Sequence, residues 1–303
     1  MTESKQSALP PRRFLFPYFV LIVGLLITAF FSYYVWRTAE AKDSERFKTS
    51  TQELTTYVRG RPRLYIEVLR AATGLFAVSP SINPGQFQKF VERLELGDQY
   101  PGAQGIGFLV RVRRDQKDSF DATTKQRDLK DFHLWPDQDQ NQYALALHFE
   151  ALKKGDPAVG DFDLHTDPVC VTAMETARDT GLPATTAKVM LSQGTKGNKQ
   201  AGFLIYAPIY ENDRTPTTVA ERREALSGFV YSRLRAADFL DSVLAIKHTS
   251  DIDLRLYDGL QASPENLLAD TAYAAGNTNG ATPPDFKPRF TATSTTLFPS
   301  CRW

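Results

Sequence analysis

The sequence predicts an α/β or α+β protein that is carried on a membrane helix and a long stalk helix. Three observations support this fold class: a long uncharged apolar stretch near the N-terminus, a helical apolar stripe directly after it, and short strands that alternate with helices further on. The 303 residues suffice to bury one large core or two small ones.

Residues 14–36 carry no charged side chain and predict a transmembrane helix. At about 1.5 Å per residue, this stretch covers the roughly 30 Å apolar slab of a bilayer. Tyr33, Tyr34 and Trp36 place aromatic rings at one end of it, as is typical of spanning helices. A cleaved signal peptide is the alternative, because Ala39-Glu40-Ala41 offers a cleavage site, but the apolar stretch is longer than signal peptides need. The sequence therefore favours an uncleaved anchor.

Basic residues stand on both sides of the span, so their count does not set its orientation. Long downstream domains cross the membrane largely regardless of charge. We therefore expect a single-pass protein of the inner (cytoplasmic) membrane, with residues 1–13 as a cytoplasmic tail and residues 37–303 outside the cytoplasm.

Residues 37–78 are predicted to form the long stalk helix. Its apolar residues recur at spacings of three, four and seven: Phe47, Leu54, Val58, Tyr65, Val68, Ala72 and Leu75. Such a stripe packs either on the helix's own domain or on a partner, and the pattern leaves both open. The partner that we expect is a second copy of the chain, which would form a homodimer through the stalk helix.

Residues 79–240 are predicted to form a membrane-distal module. Its apolar runs predict strands at residues 106–112, 132–135, 143–149, 203–209 and 228–234. Helices are expected at residues 86–96 and 169–179, with Gly181 in the left-handed position that ends the second of them.

Residues 241–303 form a smaller, membrane-proximal module in this prediction. A helix at 238–246 leads into it, a strand is expected at 252–257, and a last strand is expected from Arg289 on. So few elements make a thin core. We therefore expect this module either to pack on the long helix or to be truncated.

Charge and motif content exclude several function classes. With 36 Lys and Arg against 35 Asp and Glu, the net charge of +1 provides no field that would collect nucleic acid. Cys170 and Cys301 stand too far apart for a zinc or iron–sulfur motif. Catalytic motifs for hydrolases, metalloproteases and nucleotide binding are absent from the sequence, so we expect neither a catalytic residue nor a cofactor.

An alternation of acidic residues and His spans residues 161–167 and could suggest a metal site. A calcium loop of the EF-hand type would need glycine at Thr166 and glutamate at Thr172, and it has neither. The apolar residues Phe162 and Leu164 stand between them, and this alternation is explained more simply by a strand with one solvent-exposed face. We therefore expect no metal.

Six strings, in one consistent order, resemble the CHASE domain, an extracytoplasmic sensor of receptor histidine kinases, nucleotide cyclases and diguanylate cyclases. The strings are Arg70-Ala71 with Gly74-Leu75-Phe76; Tyr100-Pro101-Gly102 with Gln104-Gly105-Ile106-Gly107; Gly160-Asp161-Phe162-Asp163-Leu164; Ala177-Arg178-Asp179-Thr180-Gly181; Gly202-Phe203 with Tyr206 and Pro208-Ile209-Tyr210; and Thr218-Val219 with Glu221-Arg222-Arg223 and Gly228.

The resemblance implies a stalk helix that carries tandem PAS-like modules, usually as a homodimer, with a small-ligand pocket in the distal module. It also implies that Thr186, a few residues after the Arg-Asp-Thr-Gly string, contacts the ligand. In plant members the ligand is a cytokinin. This sequence departs from the family at residues 156–159, where an Asn is common, and at Ala151, where a Pro is usual, so the ligand is left open.

The aromatic candidates for the pocket are Phe149, Phe203 and Tyr206, and Asp163 joins Thr186 as a polar candidate. The expected function is therefore that of a ligand-sensing receptor domain without catalysis of its own. No kinase or cyclase output motif stands in the 303 residues. The alternative is a membrane-anchored periplasmic enzyme or adhesion module, which would require a reactive cluster or a large exposed apolar patch.

Overall fold

The computed structural model describes residues 15–78, 84–95, 100, 102–113, 133–135, 143–151, 167–193, 198–211, 215–247, 252–271, 288–295, 297–298 and 301–302. The described residues form two compact units. The first unit takes its residues from 1–53 and 288–292, and the second from 54–287 and 293–303.

The helices and strands follow the predicted mixed α+β order. The helices are α1 Leu15–Val78, α2 Pro84–Arg93, α3 Pro168–Thr180, α4 Val219–Ala225 and α5 Ala236–Lys247. The strands are β1 Ala103–Arg113, β2 His133–Trp135, β3 Tyr143–Ala151, β4 Ala184–Thr185, β5 Val189–Gln193, β6 Asn198–Tyr210, β7 Leu226–Arg235, β8 Arg255–Tyr257, β9 Leu267–Asp270, β10 Leu297–Phe298 and β11 Cys301–Arg302.

In the first unit, the apolar part of α1 is exposed. This stretch is long and apolar enough to cross a membrane, and none of it is buried in the protein. Beyond it, Phe290 stacks on Phe47 with ring centroids 5.6 Å apart. Arg289 donates to Asp43 at 2.8 Å and also pairs with Glu40. The segment 288–292 is thus held on α1 by one stacked ring and two carboxylates.

In the second unit, the main sheet is antiparallel in all its described pairings, in the order β2-β3-β1-β7-β6-β4, with β5 also paired to β6. Antiparallel pairing makes the fold α+β rather than α/β. β8 pairs with β9, and β10 with β11, as separate short ladders. β1, β7 and β6 lie in the middle, where apolar residues cover both faces.

One face of the sheet packs against α1, α2 and α5. Alternate residues of β6 point into this first core, among them Phe203, Ile205 and Ala207. Phe76 of α1 and Phe87 of α2 each meet Phe108 of β1 edge to face, with ring centroids 5.2 and 4.8 Å apart. The Phe76 and Phe87 rings are tilted relative to each other, with centroids 6.3 Å apart. The buried residues of β8 and β9 belong to the same core.

The predicted stalk stripe therefore packs on its own domain. Leu54, Tyr65 and Ala72 are buried, and Val58, Val68 and Leu75 are partly buried against the first core. A homodimer through the stalk would have to use a different face of α1. Two glycines in this part of the helix, Gly60 and Gly74, are exposed, and a Cβ added at either would meet no atom within 4 Å. Each costs the helix about 1 kcal/mol relative to alanine.

The opposite face of the sheet is covered by α3. Cys170, Ala173 and Ala177 of this helix pack on residues of β6 and β7 that alternate with those of the first core. Asp167 caps the start of α3, because its carboxylate accepts from Val169 N at 2.9 Å. Gly181 ends it with φ 72°, as predicted.

The five predicted strands of the distal module correspond to β1, β2, β3, β6 and β7. β4, β5 and α4 were not predicted. The strand expected from Arg289 is wrong, since residues 288–295 are irregular and the next described strand begins at Leu297.

Candidate functional site

On the α3 face of the sheet, two glycines of β1 leave a strip of backbone without side chains. Gly107 pairs with Phe149 of β3 on one side and with Tyr231 of β7 on the other. Gly105 pairs with Ala151 and Arg233 in the same way. Directly paired residues point to the same face, so Gly107 leaves a gap between two aromatic residues, and Gly105 leaves one between Ala151 and Arg233.

Aromatic rings lie over this strip. Residues two strands apart have backbones about 10 Å apart, yet the ring centroids of Phe149 and Tyr231 are only 5.9 Å apart, with an interplanar angle of 29°. The Tyr231 and Tyr206 centroids are also 5.9 Å apart, with an interplanar angle of 30°. Because Gly107 carries no side chain, the three rings form one row across β3, β7 and β6.

A buried guanidinium completes the row. Arg233 is only 7% exposed, and its guanidinium carbon lies 3.7 Å from the centroid of the Phe149 ring. A desolvated cation on an aromatic face contributes about 2 kcal/mol. Phe149 itself is half-buried, so this end of the row is the part that reaches solvent. The site thus combines flat apolar faces with a planar cation.

Tyr206 lies at the closed end of the row, against the α3 residue Cys170. Burial raises the pKa of Tyr206 well above its usual range, and the neighbouring Cys170 thiol, with which its hydroxyl is hydrogen bonded, raises it further. Burial also raises the pKa of Cys170 to about 11. The thiol therefore stays protonated near neutral pH, where only a thiolate would be a good nucleophile.

Thr186 is 1% exposed and continues the ladder between β4 and β6. Its backbone N–H donates to Leu204 O at 2.9 Å, and its hydroxyl oxygen accepts from Leu204 N at 3.0 Å. The hydroxyl thus satisfies a buried backbone donor and keeps its own proton for an acceptor.

The turn after Thr186 is tied to the hairpin of β8 and β9. Lys188 N donates to the Asp258 carboxylate at 2.7 Å, and Lys188 Nζ donates to Glu265 O at 2.7 Å. Leu256 of β8 and Leu268 of β9 are buried in the first core, together with α1. The Thr186 turn on one side of the sheet is thereby connected to elements that pack on the other.

The Arg-Asp-Thr-Gly string forms the junction of α3 and α4. Asp179 accepts from Arg178 Nε at 2.7 Å and from Nε and Nη2 of Arg223, and Arg222 donates to Asp179 O at 3.0 Å. Tyr210 donates its hydroxyl to Arg178 O at 2.6 Å. These are the surface and cap contacts expected of an Arg-Asp pair outside a catalytic site.

Asp179 makes the stability of this junction dependent on pH. Hydrogen bonds from Arg223 and then Arg178 hold the pKa of the Asp179 carboxyl well below its usual range. A depressed pKa means that the stabilisation is complete above the usual value of about 3.9 and is lost as the pH falls below it. We expect Asp179→Asn to lower the Tm at pH 7, and this Tm difference to shrink between about pH 5 and pH 2.

The check is thermal unfolding of both proteins across that pH range. Glu175→Gln, on an exposed side chain one turn earlier in α3, is the matched control and should show a much smaller difference at pH 7. A Tm difference for Asp179→Asn that is constant from pH 7 to pH 2 would contradict the assignment.

The structure brings together only part of the predicted site. Phe149 and Tyr206 lie in the same aromatic row, and Thr186 lies where β4 pairs with β6, the strand of Tyr206. Phe203 points to the opposite face, where it packs on Phe239 at 6.1 Å. Asp163 lies outside the described residues.

Sequence reasoning missed Tyr231 and Arg233, which complete the row. Both lie in the predicted strand 228–234, at alternate positions with Val230 and Ser232. Their alternation placed them on one face, but only the register with β1 shows that they flank glycines. Among the described residues, no group of three or more His, Cys, Asp or Glu is placed to hold a metal ion.

Comparisons with known proteins identify the family. The chain is similar in structure to the periplasmic sensory domain of the Campylobacter jejuni chemoreceptor Tlp1, with a TM-score of 0.44 and 11% sequence identity over 72% of this chain and 71% of that chain. No curated protein matches it. The family model of the CHASE domain matches residues 80–269, more than half of the chain. The resemblance read from the six strings is thus confirmed, and the chain belongs to the CHASE domain family of extracytoplasmic sensors.

Proposed function

We propose that this protein is a ligand-sensing receptor domain that binds a small molecule on the α3 face of the sheet, without catalysis of its own. The observation that carries the proposal is the row of Phe149, Tyr231 and Tyr206 with the Arg233 guanidinium at its half-buried end. Flat apolar faces beside a few fixed polar groups are the usual composition of small-ligand sites. Thr186 and Asp163 are the proposed polar contacts.

The site would be coupled to the stalk through the middle strands. In β6, Tyr206 on the ligand side stands between Ile205 and Ala207, which point into the first core with α1. Close-packed interiors transmit small displacements, so a ligand that favours one packing of the row shifts the population of states on the stalk side. The contacts of Lys188 with Asp258 and Glu265 offer a second connection.

The topology in this proposal is the one predicted from the sequence. Residues 14–36 span the inner membrane once, residues 37–303 lie outside the cytoplasm, and the stalk of residues 37–78 carries a distal module of residues 79–240 and a proximal one of residues 241–303. The protein acts as a homodimer through α1, and the signal passes to a partner protein or an output domain.

The test is thermal unfolding of the full chain in detergent against a library of small metabolites, purine derivatives and amphipathic acids. A ligand that binds the native state at 100 times its Kd stabilises it by about 2.7 kcal/mol. For a domain of this size, that is a rise in Tm of about 5–10 °C.

Two phenylalanines locate the binding site. Phe149→Leu removes a ring from the row and should reduce the ligand-induced rise in Tm. Phe203→Leu is the matched control, because Phe203 is buried on the opposite face; it should lower the Tm of the free protein but leave the rise intact. A rise that is lost in Phe203→Leu and retained in Phe149→Leu, or no rise with any compound, would overturn the proposed site.

A further inference from the structure

Arg233 carries a positive charge into the interior on the α3 face of the sheet. Of the described residues that are buried, it alone is charged. It pairs with Gly105 of β1, which has no side chain, and its guanidinium carbon lies 3.7 Å from the centroid of the Phe149 ring on β3. The cation thus lies across β1, at the half-buried end of the aromatic row.

The contact with Phe149 uses the flat face of the guanidinium. The five N–H groups of an arginine lie in the plane of the guanidinium and point outwards from its edge, so stacking on a ring consumes none of them. Two parallel N–H groups of this edge match the two oxygens of a carboxylate. The edge of Arg233 therefore has the geometry that recognises a carboxylate.

Burial strengthens such a contact. Arg233 has already lost most of its hydration in the folded protein, so a bound anion does not have to displace a full hydration shell from it. Opposite charges also attract each other more strongly in the interior than in water. A carboxylate gains more from these conditions than the uncharged amide of the same shape does.

The groups around Arg233 suit one negative charge. The residues of α3 that are buried against this face are uncharged, namely Cys170, Ala173, Met174 and Ala177. Arg235 lies two residues further along β7, on the same face, and is paired with Asp238 at 3.1 Å. Because the charge of Arg235 is balanced in this way, Arg233 offers a single positive charge, which matches one carboxylate better than a doubly charged phosphate.

We infer that the ligand of the α3 face is a small monocarboxylic acid with a flat apolar body. Its carboxylate binds the edge of the Arg233 guanidinium, and its body lies along the rings of Phe149, Tyr231 and Tyr206. The inference rests on the proposed function and names the chemical class of its ligand.

Thermal unfolding of the full chain in detergent with matched pairs of compounds tests the inference. The probes are phenylacetate, cinnamate and indoleacetate, each beside its amide, and phenyl phosphate as an anion with two charges. The two members of a pair share the flat body and differ in charge. We expect at least one acid to raise the Tm, and its amide to bind at least about tenfold more weakly.

Variants of two arginines of β7 locate the charge that is recognised. Arg233→Met removes the cation and keeps much of the side chain's length, so the preference for the acid over its amide should fall below about twofold. Arg235→Met is the matched control and should keep the preference, because the charge of Arg235 is paired with Asp238. The preference compares two ligands of one protein, so a lower Tm of either variant does not affect it.

Arg233→Lys keeps the inference testable if the methionine variant does not fold. Lysine retains the charge but not the planar pair of donors, so we expect it to bind the acid about three- to tenfold more weakly than the wild type does. Acid binding that is unchanged in this variant, or a preference for the acid that persists in Arg233→Met, would overturn the assignment to Arg233.

The remaining outcomes separate the ligand class from the proposed function. Equal binding of acid and amide, tighter binding of phenyl phosphate, or a rise in Tm with uncharged compounds alone would overturn the monocarboxylic acid and leave the ligand-sensing function standing. No rise in Tm with any compound would overturn both.

Discussion

Replacing Gly228 by alanine is expected to lower the free energy of unfolding by more than about 3 kcal/mol, which corresponds to a fall in Tm of about 10 °C. Gly228 lies in β7 between Val110 of β1 and Ile209 of β6. A Cβ added there would lie 2.0 Å from Leu109 O and 3.1 Å from Leu109 C. Both neighbouring strands are paired on their far sides, so this backbone cannot move away without breaking a ladder.

Thermal unfolding of the full chain measures the effect. Ser227→Ala, at the adjacent half-buried position, is the matched control and should change the free energy of unfolding by no more than about 0.5 kcal/mol. If Gly228→Ala unfolds within about 2 °C of the wild type, β1 and β7 do not approach each other as closely as the register requires.

Local patterns were sufficient to predict much of the fold. The uncharged stretch, the stalk stripe and the longer apolar runs correspond to α1 and to β1, β3, β6 and β7, since each has a long periodic or apolar signal. β4 has only two residues, too few for any pattern. The seven-residue α4 did leave a signal, because Thr218 and Glu221 form a capping box, which their spacing of three could have indicated.

The site was less predictable because its sheet is covered on both faces. In β6, Phe203 and Tyr206 are equally buried, so no alternation of polar and apolar residues shows which of them shares a face with Phe149. They are three positions apart along the strand, and this odd spacing places them on opposite faces of the sheet. The role of Gly105 and Gly107 depends on the register with β3 and β7, and pairings between residues distant in the sequence leave no local signal.

Thr186→Ala is expected to have two separable effects, on folding and on ligand binding. The Thr186 hydroxyl accepts from Leu204 N inside the core, so its removal leaves a buried backbone donor without that acceptor. The expected cost is about 1–3 kcal/mol of unfolding free energy. The resemblance assigned Thr186 only a ligand contact, whereas the structure adds this role in folding.

Two further variants separate the hydroxyl from the shape of the side chain. Thr186→Ser keeps the oxygen that Leu204 N needs, so both folding and ligand binding should stay close to those of the wild type. Thr186→Val keeps the volume but not the hydroxyl, and should lose stability as the alanine variant does. Thermal unfolding without ligand ranks the three variants for the structural role.

The ligand role requires a second comparison, the rise in Tm that the ligand causes in each variant. The hydroxyl proton is the part of Thr186 that the contact with Leu204 leaves available. If the ligand accepts it, Thr186→Val and Thr186→Ala should bind about three- to tenfold more weakly than Thr186→Ser. Equal rises in Tm for the serine and valine variants would instead mean that Thr186 serves only the pairing between β4 and β6. The polar contacts of the ligand would then have to come from other groups along the aromatic row, such as the buried guanidinium of Arg233.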